Sequence, residues 1–364
     1  MGNQNGIDFH KLNYHPKRVG EWLEVSNWEK AKEVSPIYVE ISPTGICNHR
    51  CYFCSLDFMG HKNVSLDTAV LKKRISEMAK AGVKSIMFAG EGEPLLHKDM
   101  ADIAVFTKKS GIDVAFTSNG TVLNEKFCEI ALGSVDWIKI SVNAGTPDTY
   151  SFVHRASKKH FQTVWNNIER AATLRNDNNY SCTIGAQMVL LSENQNEVVK
   201  LAELAKSAGC DYLVIKPFSP HPLSIGNQHI KPLIAEDFLS EVEKELNGMN
   251  CENFRIIMRR KAFGKLKETR KPYDKCFSVP FFWGYITSEG YFYSCSMFLG
   301  DKKFRLGNIH HQSFKQIWKG KRRRKNFLFM KNFDASFCRK GCRMDECNRY
   351  LIDVKNPPQH VNFI

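Results

Sequence analysis

Three cysteines in one short segment, Cys47, Cys51 and Cys54, have the residue type and spacing that most clearly indicate chemistry. Thiolates this close together favour an iron–sulfur cluster or zinc over hard cations, because sulfur is a soft ligand. No fourth cysteine lies nearby. Three thiolates can therefore hold three irons of a cubane and leave the fourth iron open to another ligand.

A second group of cysteines lies near the end of the chain, and Gly290 falls between its first two members. A glycine at a tight turn would bring those two thiols together from the arms of a hairpin. Four thiolates satisfy zinc as well as an iron–sulfur cluster, so the residues alone leave both metals open. The members of this group are Cys276, Cys295, Cys338, Cys342 and Cys347.

The other four cysteines are scattered singly, and we expect them to pack as small core hydrophobes. The chain has twelve cysteines and no apolar segment near its beginning that would act as an export signal. In a reducing compartment thiols serve as metal ligands or catalysts rather than as disulfides. We therefore expect a cytoplasmic protein. The scattered cysteines are Cys128, Cys182, Cys210 and Cys251.

Length and composition allow one large domain and a smaller one, since the chain has 364 residues of which 43% are hydrophobic. No run of about 18 apolar residues occurs, so no membrane-spanning helix is expected. The formal net charge of +14 suits an anionic partner. Its densest part, Lys319–Lys325, is interpreted as a solvated helix face, with a phosphate-bearing substrate or nucleic acid as the alternative.

Short β-branched runs alternate with amphipathic segments up to Pro217. Ser65 is expected to open the first helix after the cysteines and Gly82 to end it, and Ser192 with Gln195 predicts a capping box for a later helix. Parallel neighbours need crossover helices, so the alternation predicts an α/β fold with a parallel sheet. The predicted strands are Pro36–Ile41, Ser85–Phe88, Asp113–Thr117, Val135–Val142, Cys182–Leu190 and Tyr212–Lys216.

Beyond Pro217 this alternation stops, and aromatic runs at Phe281–Trp283 and Tyr291–Tyr293 predict a hairpin in a second, small α+β domain. We predict three regions. They are an N-terminal extension over residues 1–35 with a short helix at Val19–Leu23, the parallel α/β region over 36–233 and the second domain over 234–364.

Polar residues recur where the predicted strands end, and parallel α/β barrels place their sites at the carboxyl ends of strands. Gly92 and Glu93 follow the second strand within the segment Gly90–Pro94. Their recurrence at successive strand ends predicts a polar site beside the first cysteine group. The residues after the third and fourth strands are Thr117, Ser118, Asn119, Ser141 and Asn143.

The segment Cys47–Cys54, directly after the first strand and with Phe53 before its third cysteine, resembles the signature of the radical S-adenosylmethionine (SAM) superfamily. The resemblance implies a partial (βα)6 barrel of TIM type and a [4Fe–4S] cluster whose open iron binds SAM. It extends over about residues 37–350. Reduction of that cluster would split SAM into methionine and a 5′-deoxyadenosyl radical, which abstracts hydrogen from the substrate.

The same resemblance assigns SAM-binding roles. Gly90–Pro94 is similar to the family's Gly-Gly-Glu segment, which holds the SAM amino group, although Glu91 replaces one glycine. Gly92 and Glu93 would carry that role, Phe53 would line the pocket, and the polar residues after the third and fourth strands would meet the ribose and carboxylate. Arg155 is a further candidate for the carboxylate, with a surface salt bridge as the alternative.

The second cysteine group resembles the SPASM/twitch auxiliary domain of many radical SAM enzymes, through Cys276, Gly290 and Cys295. The resemblance implies a twitch-type domain with one auxiliary [4Fe–4S] cluster, completed by Cys338 and Cys342. Cys347 is left over and could replace Cys342 as a ligand, while a structural zinc site is the alternative for the whole group.

We expect an oxidoreductase that dehydrogenates or epimerises a small polyhydroxylated or amino-sugar-like substrate. One option is a substrate that carries an anionic group. Lys216 and His221, near the end of the sixth strand, are the predicted catalytic residues, and Cys251 is a candidate hydrogen donor for an epimerase. A reductase such as flavodoxin or ferredoxin would supply electrons. Three alternatives stay open: a peptide substrate, an RNA substrate, and a non-catalytic iron–sulfur or zinc protein. The 35 residues before the first strand are too few for the leader-binding domain of many peptide-modifying relatives.

Overall fold

The computed structural model describes residues 6–363. Within them ten strands form one sheet. They are β1 (Tyr38–Ile41), β2 (Ser85–Phe88), β3 (Asp113–Ser118), β4 (Trp137–Ser141), β5 (Thr183–Leu190), β6 (Tyr212–Pro217), β7 (Arg255–Met258), β8 (Trp283–Ile286), β9 (Tyr291–Tyr293) and β10 (Arg305–Asn308). Their order is β10-β9-β8-β1-β2-β3-β4-β5-β6-β7.

Thirteen α-helices are assigned in the described residues. They are α1 (Pro16–Leu23), α2 (Trp28–Ala31), α3 (Thr68–Lys80), α4 (Met100–Lys109), α5 (Glu125–Ala131), α6 (Pro147–His154), α7 (Lys159–Asp177), α8 (Val198–Ser207), α9 (Glu236–Leu246), α10 (Arg260–Lys267), α11 (Phe314–Trp318), α12 (Lys321–Met330) and α13 (Asp345–Lys355). No helix among the described residues is long and apolar enough to cross a membrane.

Strands β1 to β6 pair in parallel and in chain order, and helices connect them, so the six predicted strands and the α/β class are confirmed. Two further strands extend this parallel set, because β7 pairs with β6 and β8 pairs with β1. Strand β7 lies beyond the predicted domain boundary at residue 233. That boundary stays a prediction, although the sheet continues across it.

The two faces of the parallel sheet differ because successive side chains point to opposite sides. One face packs on the helices in a large apolar core that includes Ile86, Phe116 and Ile140. The opposite face, here called the lumen, carries polar side chains along much of its length. The same face carries a small apolar cluster whose members are Tyr38, Met87, Ala89, Ala115 and Trp137.

Helix boundaries depend on local capping, and two predicted caps differ from the structure. Asp67, rather than Ser65, caps α3 by accepting a hydrogen bond from the Val70 amide. The capping box at Ser192 is wrong, since α8 begins only at Val198 after a 3₁₀ turn. Gly82 does end α3, with a positive φ of 90° that a side chain would disfavour.

The C-terminal region contains the predicted aromatic hairpin as β8 and β9, with Gly290 in its turn at a φ of 81°. The basic run forms the start of α12, but Arg323 is fully buried rather than solvated. Its guanidinium donates to the carbonyls of Pro280, Trp318, Ala31 and Val34. Arg323 therefore joins the N-terminal helices to this region.

The scattered cysteines follow the prediction in three cases. Cys128, Cys182 and Cys210 are buried in the core, as expected for small hydrophobes. Cys251 is exposed, so its predicted packing in the core is wrong. It lies in a turn before β7, where its amide donates to the Phe254 carbonyl.

Candidate functional site

The loop after β1 brings the first three cysteines together. Its backbone packs on the end of β2, where the Glu93 amide donates to the Ile46 carbonyl at 2.8 Å. Gly92 permits this approach, because a Cβ atom there would lie 2.2 Å from the Thr44 carbonyl oxygen. Glycine at this position is thus required by the close passage of the cysteine loop.

The three thiols of this loop lie close enough to influence one another electrostatically. Burial raises the pKa of Cys51 well above its usual value, and the nearby Cys54 and Cys47 raise it further. Burial raises the pKa of Cys47 to about 11. The charge of Arg50 opposes the rise for Cys47 and Cys54, and a metal cluster would convert the three clustered thiols to thiolates.

His154, at the end of α6, lies beside this loop and was missed by the sequence reasoning. Its Nδ1 is 3.0 Å from Cys51 Sγ, and its Nε2 is 2.8 Å from the Val142 carbonyl oxygen. Burial lowers the pKa of His154 to about 4. The donor atoms of His49, Cys51 and His154 also lie within 4.8 Å of one another, a second arrangement that could hold a metal ion.

Glu93 is a buried carboxylate, and no cation among residues 6–363 lies within ion-pair distance of it. Its oxygens accept hydrogen bonds from Ser118 Oγ and the Asn119 amide, both at 2.7 Å, and from the Leu95 amide at 3.1 Å. Burial nevertheless raises the pKa of Glu93 to about 7. Its charge also raises the pKa of Cys47, which places the carboxylate near the cysteine loop.

The end of β3 is tied to the same loop through amides. Asn119 Nδ2 donates to Asn48 Oδ1 at 2.7 Å, and Asn48 Nδ2 donates to Thr121 Oγ1 at 2.8 Å. Thr117 has a different surrounding, with its hydroxyl 3.6 Å from Met87 Sδ. The structure therefore brings Ser118 and Asn119 to Glu93, while Thr117 belongs to the lumen face.

After β4, the predicted ligands have separate surroundings. Ser141 Oγ accepts from Gln187 Nε2 at 3.3 Å. Asn143 is fully buried at a φ of 57°, and its Oδ1 accepts from the Val189 amide at 2.7 Å. The side chain of Asn143 is thus already committed to holding the ends of β4 and β5 together.

Phe53 and Arg155 are both neighbours of His154, the first through a ring contact and the second in the chain. The Phe53 ring packs edge-on against the His154 ring, with centroids 5.7 Å apart. Arg155 is exposed and takes the left-handed conformation that ends α6, with a φ of 46°. The predicted role of Arg155 toward SAM stays a prediction.

Basic side chains dominate the lumen. Burial, together with the charges of Arg343 and Arg259, lowers the pKa of Lys139, on β4, to about 7. Burial also lowers the pKa of Lys216, on β6, well below its usual value. The charge of Lys139 makes the next largest contribution in the same direction. We call this set the lumen cations. They are Lys139, Lys216, Arg259, Arg339 and Arg343.

Two of the lumen cations have carboxylate partners. Arg343 pairs with Glu40 of β1, and Arg259 Nε lies 3.1 Å from Asp8 Oδ1. The Arg343 side chain still exposes 46% of its surface. Water therefore reaches the lumen, although protein surrounds it.

His221 lies in the segment after β6, and its side chain is buried rather than exposed to solvent. It stacks on Phe58 of the cysteine loop with ring centroids 4.9 Å apart, and its Nε2 lacks a hydrogen-bond partner. Burial lowers the pKa of His221 to about 4. The same segment holds the cysteine loop through Asn227 Nδ2, which donates to the Cys54 carbonyl at 2.8 Å.

The second cysteine group also converges. Burial raises the pKa of Cys295 well above its usual value. The nearby thiolate charges of Cys342, Cys276 and Cys338 raise it in the same direction. Asn348 of α13 orders the first of these thiols, since its Nδ2 is 3.5 Å from Cys276 Sγ and its Oδ1 accepts from two backbone amides, those of residues 277 and 278. The charges of Cys342 and Cys276 also raise the pKa of Cys347, so this fifth cysteine lies near the same group.

Glu91, the residue that departs from the Gly-Gly-Glu pattern, links the two cysteine regions. Its Oε1 accepts from the Ser288 amide in the β8–β9 turn. Its own amide lies 3.3 Å from Ser42 Oγ, at the end of β1. This side chain joins the loop after β2 to the hairpin that precedes Cys295.

Both cysteine groups fit the cofactors that the resemblance implies. The first offers three thiols, one short of a complete ligand set for a cubane, beside a carboxylate that lacks a cation. SAM carries an ammonium group that would complement Glu93. The second offers four or five thiols drawn together in the absence of any disulfide.

Comparison with protein families identifies two regions. A model of the radical SAM superfamily matches residues 41–205, and a model of SPASM, an iron–sulfur cluster-binding domain, matches residues 276–348. The second match confirms a SPASM-type C-terminal domain, while its predicted twitch-type subclass stays a prediction.

Curated relatives share part of the chain. A GTP 3′,8-cyclase of Chlorobaculum tepidum is 26% identical over 227 residues, which are 60% of this chain and 66% of that protein. A probable GTP 3′,8-cyclase of Methanothermobacter thermautotrophicus is 28% identical over 205 residues, 54% of this chain and 65% of that protein. The chain thus spans less than two thirds of the length of these two relatives.

Two solved structures resemble the fold. Streptococcus suis SuiB bound to S-adenosylmethionine matches 85% of this chain and 70% of that chain, with a TM-score of 0.63 and 16% identity. Native anSMEcpe with bound AdoMet matches 89% of this chain and 100% of that chain, with a TM-score of 0.58 and 20% identity. At these identities the likeness establishes the partial barrel with its auxiliary domain and nothing about the substrate.

Proposed function

Because the chain belongs to the radical SAM superfamily and carries a SPASM-type cluster-binding domain, we propose that it is an oxidoreductase acting on a small substrate in the lumen. It uses a [4Fe–4S] cluster that binds SAM and an auxiliary cluster. Cys47, Cys51 and Cys54 hold the first cluster in this proposal. Its substrate is small and polyhydroxylated or amino-sugar-like, and the outcome is dehydrogenation or epimerisation.

The observation that carries the substrate assignment is the polar lumen. Ser141, Gln187 and Lys139 share the lumen face, since Ser141 pairs with Gln187 in the sheet register and Lys139 precedes Ser141 by two residues. Hydroxyl, amide and amine groups suit a substrate rich in hydroxyl or amino groups. An extended apolar peptide side chain would leave these groups without partners.

Residues of this chain then have definite tasks. Glu93 faces the ammonium of SAM, and Gly92 lets the cysteine loop pass close to the strand end. When bound and reduced, the first cluster with SAM supplies a 5′-deoxyadenosyl radical. Lys216 is a suitable proton acceptor, since burial and the neighbouring cations hold its pKa well below the usual value.

His221 is the second candidate for moving a proton. It lies in the segment after β6, and one ring nitrogen lacks a partner inside the protein. A neutral imidazole with a free nitrogen can exchange a proton with a hydroxyl group. Cys276, Cys295, Cys338 and Cys342 are the proposed ligands of the auxiliary cluster, which would accept an electron in a dehydrogenation. A flavodoxin or ferredoxin is the proposed reductant.

The experiment is turnover in deuterated water with the reconstituted enzyme, SAM, a chemical reductant and a panel of sugars, cyclitols and amino sugars. GTP joins the panel because it appears in the names of the relatives. A new carbonyl indicates dehydrogenation, and deuterium at the reacting carbon indicates epimerisation. SAM cleavage without either product across the small-molecule panel would contradict this substrate class and favour a peptide or RNA.

A further inference from the structure

The lumen contains more positive charge than its own carboxylates balance. Of the five lumen cations, Arg343 pairs with Glu40 and Arg259 pairs with Asp8. Lys139, Lys216 and Arg339 have no carboxylate within ion-pair distance among residues 6–363. Cations that gather without enough carboxylates repel one another and lower the pKa values of the lysines among them, so their convergence indicates a ligand of opposite charge.

Two polar atoms in the same region lack partners. Gln187 is 4% exposed, and its Oε1 accepts no hydrogen bond. Arg339 donates one hydrogen bond, from Nη2 to Ser219 Oγ at 3.2 Å, while its Nε donates none. Buried polar atoms are normally satisfied, so orphaned atoms beside unpaired cations mark a binding position.

The paired cations indicate which anion fits. Each carboxylate in the lumen occupies one guanidinium, as Glu40 occupies Arg343 and Asp8 occupies Arg259. A monocarboxylate substrate would leave at least one further cation unpaired. A phosphate dianion accepts hydrogen bonds from several directions and matches an amine and a guanidinium that approach from different elements.

We propose that the lumen binds a phosphate group of the substrate, anchored by Lys139 and Arg339. The proposal rests on the proposed function and names its substrate class as a phosphorylated small molecule. Neither anchoring residue belongs to the positions assigned to SAM. Lys139 nevertheless neighbours two of those positions, since it pairs with Thr117 in the sheet register and precedes Ser141 by two residues.

The position of Lys139 agrees with a substrate that lies lengthwise in the lumen. Lys139 precedes Ser141 by two residues on β4, which sets it about 7 Å deeper in the lumen than the strand end. The same face carries the apolar cluster that includes Tyr38, Met87 and Trp137. A phosphate held at Lys139 would direct the rest of the substrate toward the strand ends and the cysteine loop.

The test is calorimetric titration of the anaerobically reconstituted, SAM-bound enzyme with inorganic pyrophosphate as the probe and malonate as the dicarboxylate comparison. We expect pyrophosphate to bind, and Lys139→Met and Arg339→Gln each to weaken its affinity by about 10- to 100-fold. Lys109→Met and Arg322→Gln are matched controls at exposed positions and should bind like the unchanged enzyme.

Two further measurements keep the test decisive. Lys139→Arg retains the charge and should retain binding, and pyrophosphate should raise the midpoint of thermal unfolding in the unchanged enzyme but not in Lys139→Met. An enzyme that cleaves SAM yet binds no pyrophosphate would overturn the phosphate site and leave the proposed function standing. Equal losses in the control variants, or tighter binding of malonate through the same residues, would also overturn it. Absence of SAM cleavage would contradict the proposed function itself.

Discussion

The two cysteine centres are built in different ways. Cys47, Cys51 and Cys54 lie within one loop, which is held by a backbone hydrogen bond from Glu93, after β2, and by a side-chain hydrogen bond from Asn227, in the segment after β6. The second centre takes its cysteines from three separate segments, before β8, after β9 and before α13. The first centre is thus largely defined by local chain geometry, whereas the second exists only once the C-terminal region has folded.

Their neighbouring carboxylates differ as well. Glu93, beside the first centre, has no cationic partner, and burial raises its pKa to about 7. Asp345, beside the second, accepts from Tyr273 and pairs with Lys265 and Arg349, and its hydrogen bonds to Tyr273 and Arg349 outweigh burial and lower its pKa. A centre that receives a cationic cofactor needs a carboxylate that is not already paired with a cation of the protein. A purely structural or electron-carrying centre has no such need, so its carboxylate can be paired.

The largest expected effect separates the centres by function. Replacing Cys47, Cys51 and Cys54 together with alanine should abolish SAM cleavage and leave about half of the roughly eight irons that two cubanes bind. Iron content and 5′-deoxyadenosine formation measure this. Zinc in the second centre, or any SAM cleavage by the triple variant, would contradict the assignment.

A second prediction tests which thiols complete the auxiliary centre. Cys342 raises the pKa of every other thiol of that group, which places it near all of them, whereas Cys347 is left over from the four-ligand set that the resemblance implies. Cys342→Ala should therefore lose auxiliary-cluster iron and lower the midpoint of thermal unfolding, and Cys347→Ala should retain the iron. The exposed Cys251→Ala serves as control. The reverse pattern of iron loss would exchange the roles of Cys342 and Cys347.

A third prediction addresses the unpaired carboxylate. Glu93→Gln keeps the shape of the side chain but removes its charge, so SAM binding should weaken by about 2–5 kcal/mol, the effect of removing one member of a desolvated charge pair. Equilibrium binding of SAM to the reconstituted enzyme measures it. Glu197→Gln, outside the SAM positions, is the comparison. Unchanged affinity in Glu93→Gln would mean that this carboxylate serves only to hold Ser118 and Asn119.

The smallest expected effect concerns pH and the lumen. Burial, with the charges of Arg343 and Arg259, lowers the pKa of Lys139 to about 7, while Glu40 opposes this. In the unfolded chain this lysine stays protonated up to about pH 10. Between these values the unfolded state binds more protons, so the free energy of unfolding should rise with pH.

Lys139→Met should therefore show a smaller rise in the midpoint of thermal unfolding between pH 7 and pH 9 than the unchanged protein. The slope that remains belongs largely to Lys216, whose pKa is lowered in the same direction. Lys109→Met, on the exposed face of α4, should keep the full slope. An identical slope in both variants would show that Lys139 is protonated normally in the folded protein.

Sequence reasoning succeeded where the signal is local. The six parallel strands follow from apolar periodicity, and the cysteine loop follows from spacing. Strand β7 was missed because it has only four residues, none of them buried. The burial of Arg323 was missed, because the sequence of a basic run does not show which of its residues faces the protein interior.

The same difference between local and non-local signals explains why only part of the site was predicted. Glu93 and Ser118 follow strand ends and could be found by position, whereas Lys139 lies within a strand and its orientation depends on the register of β4. His154 was overlooked because its contact with Cys51 joins residues 103 positions apart. Asn143 was assigned to SAM from position alone, and its side chain is instead occupied by the Val189 amide.

The contact between Glu91 and the Ser288 amide makes the spacing of the two centres a fixed property of the fold. One end of this contact is on the loop that passes the first three cysteines, and the other is in the hairpin that leads to Cys295. Electron tunnelling falls steeply with distance, so a rigid link keeps its rate independent of domain motion.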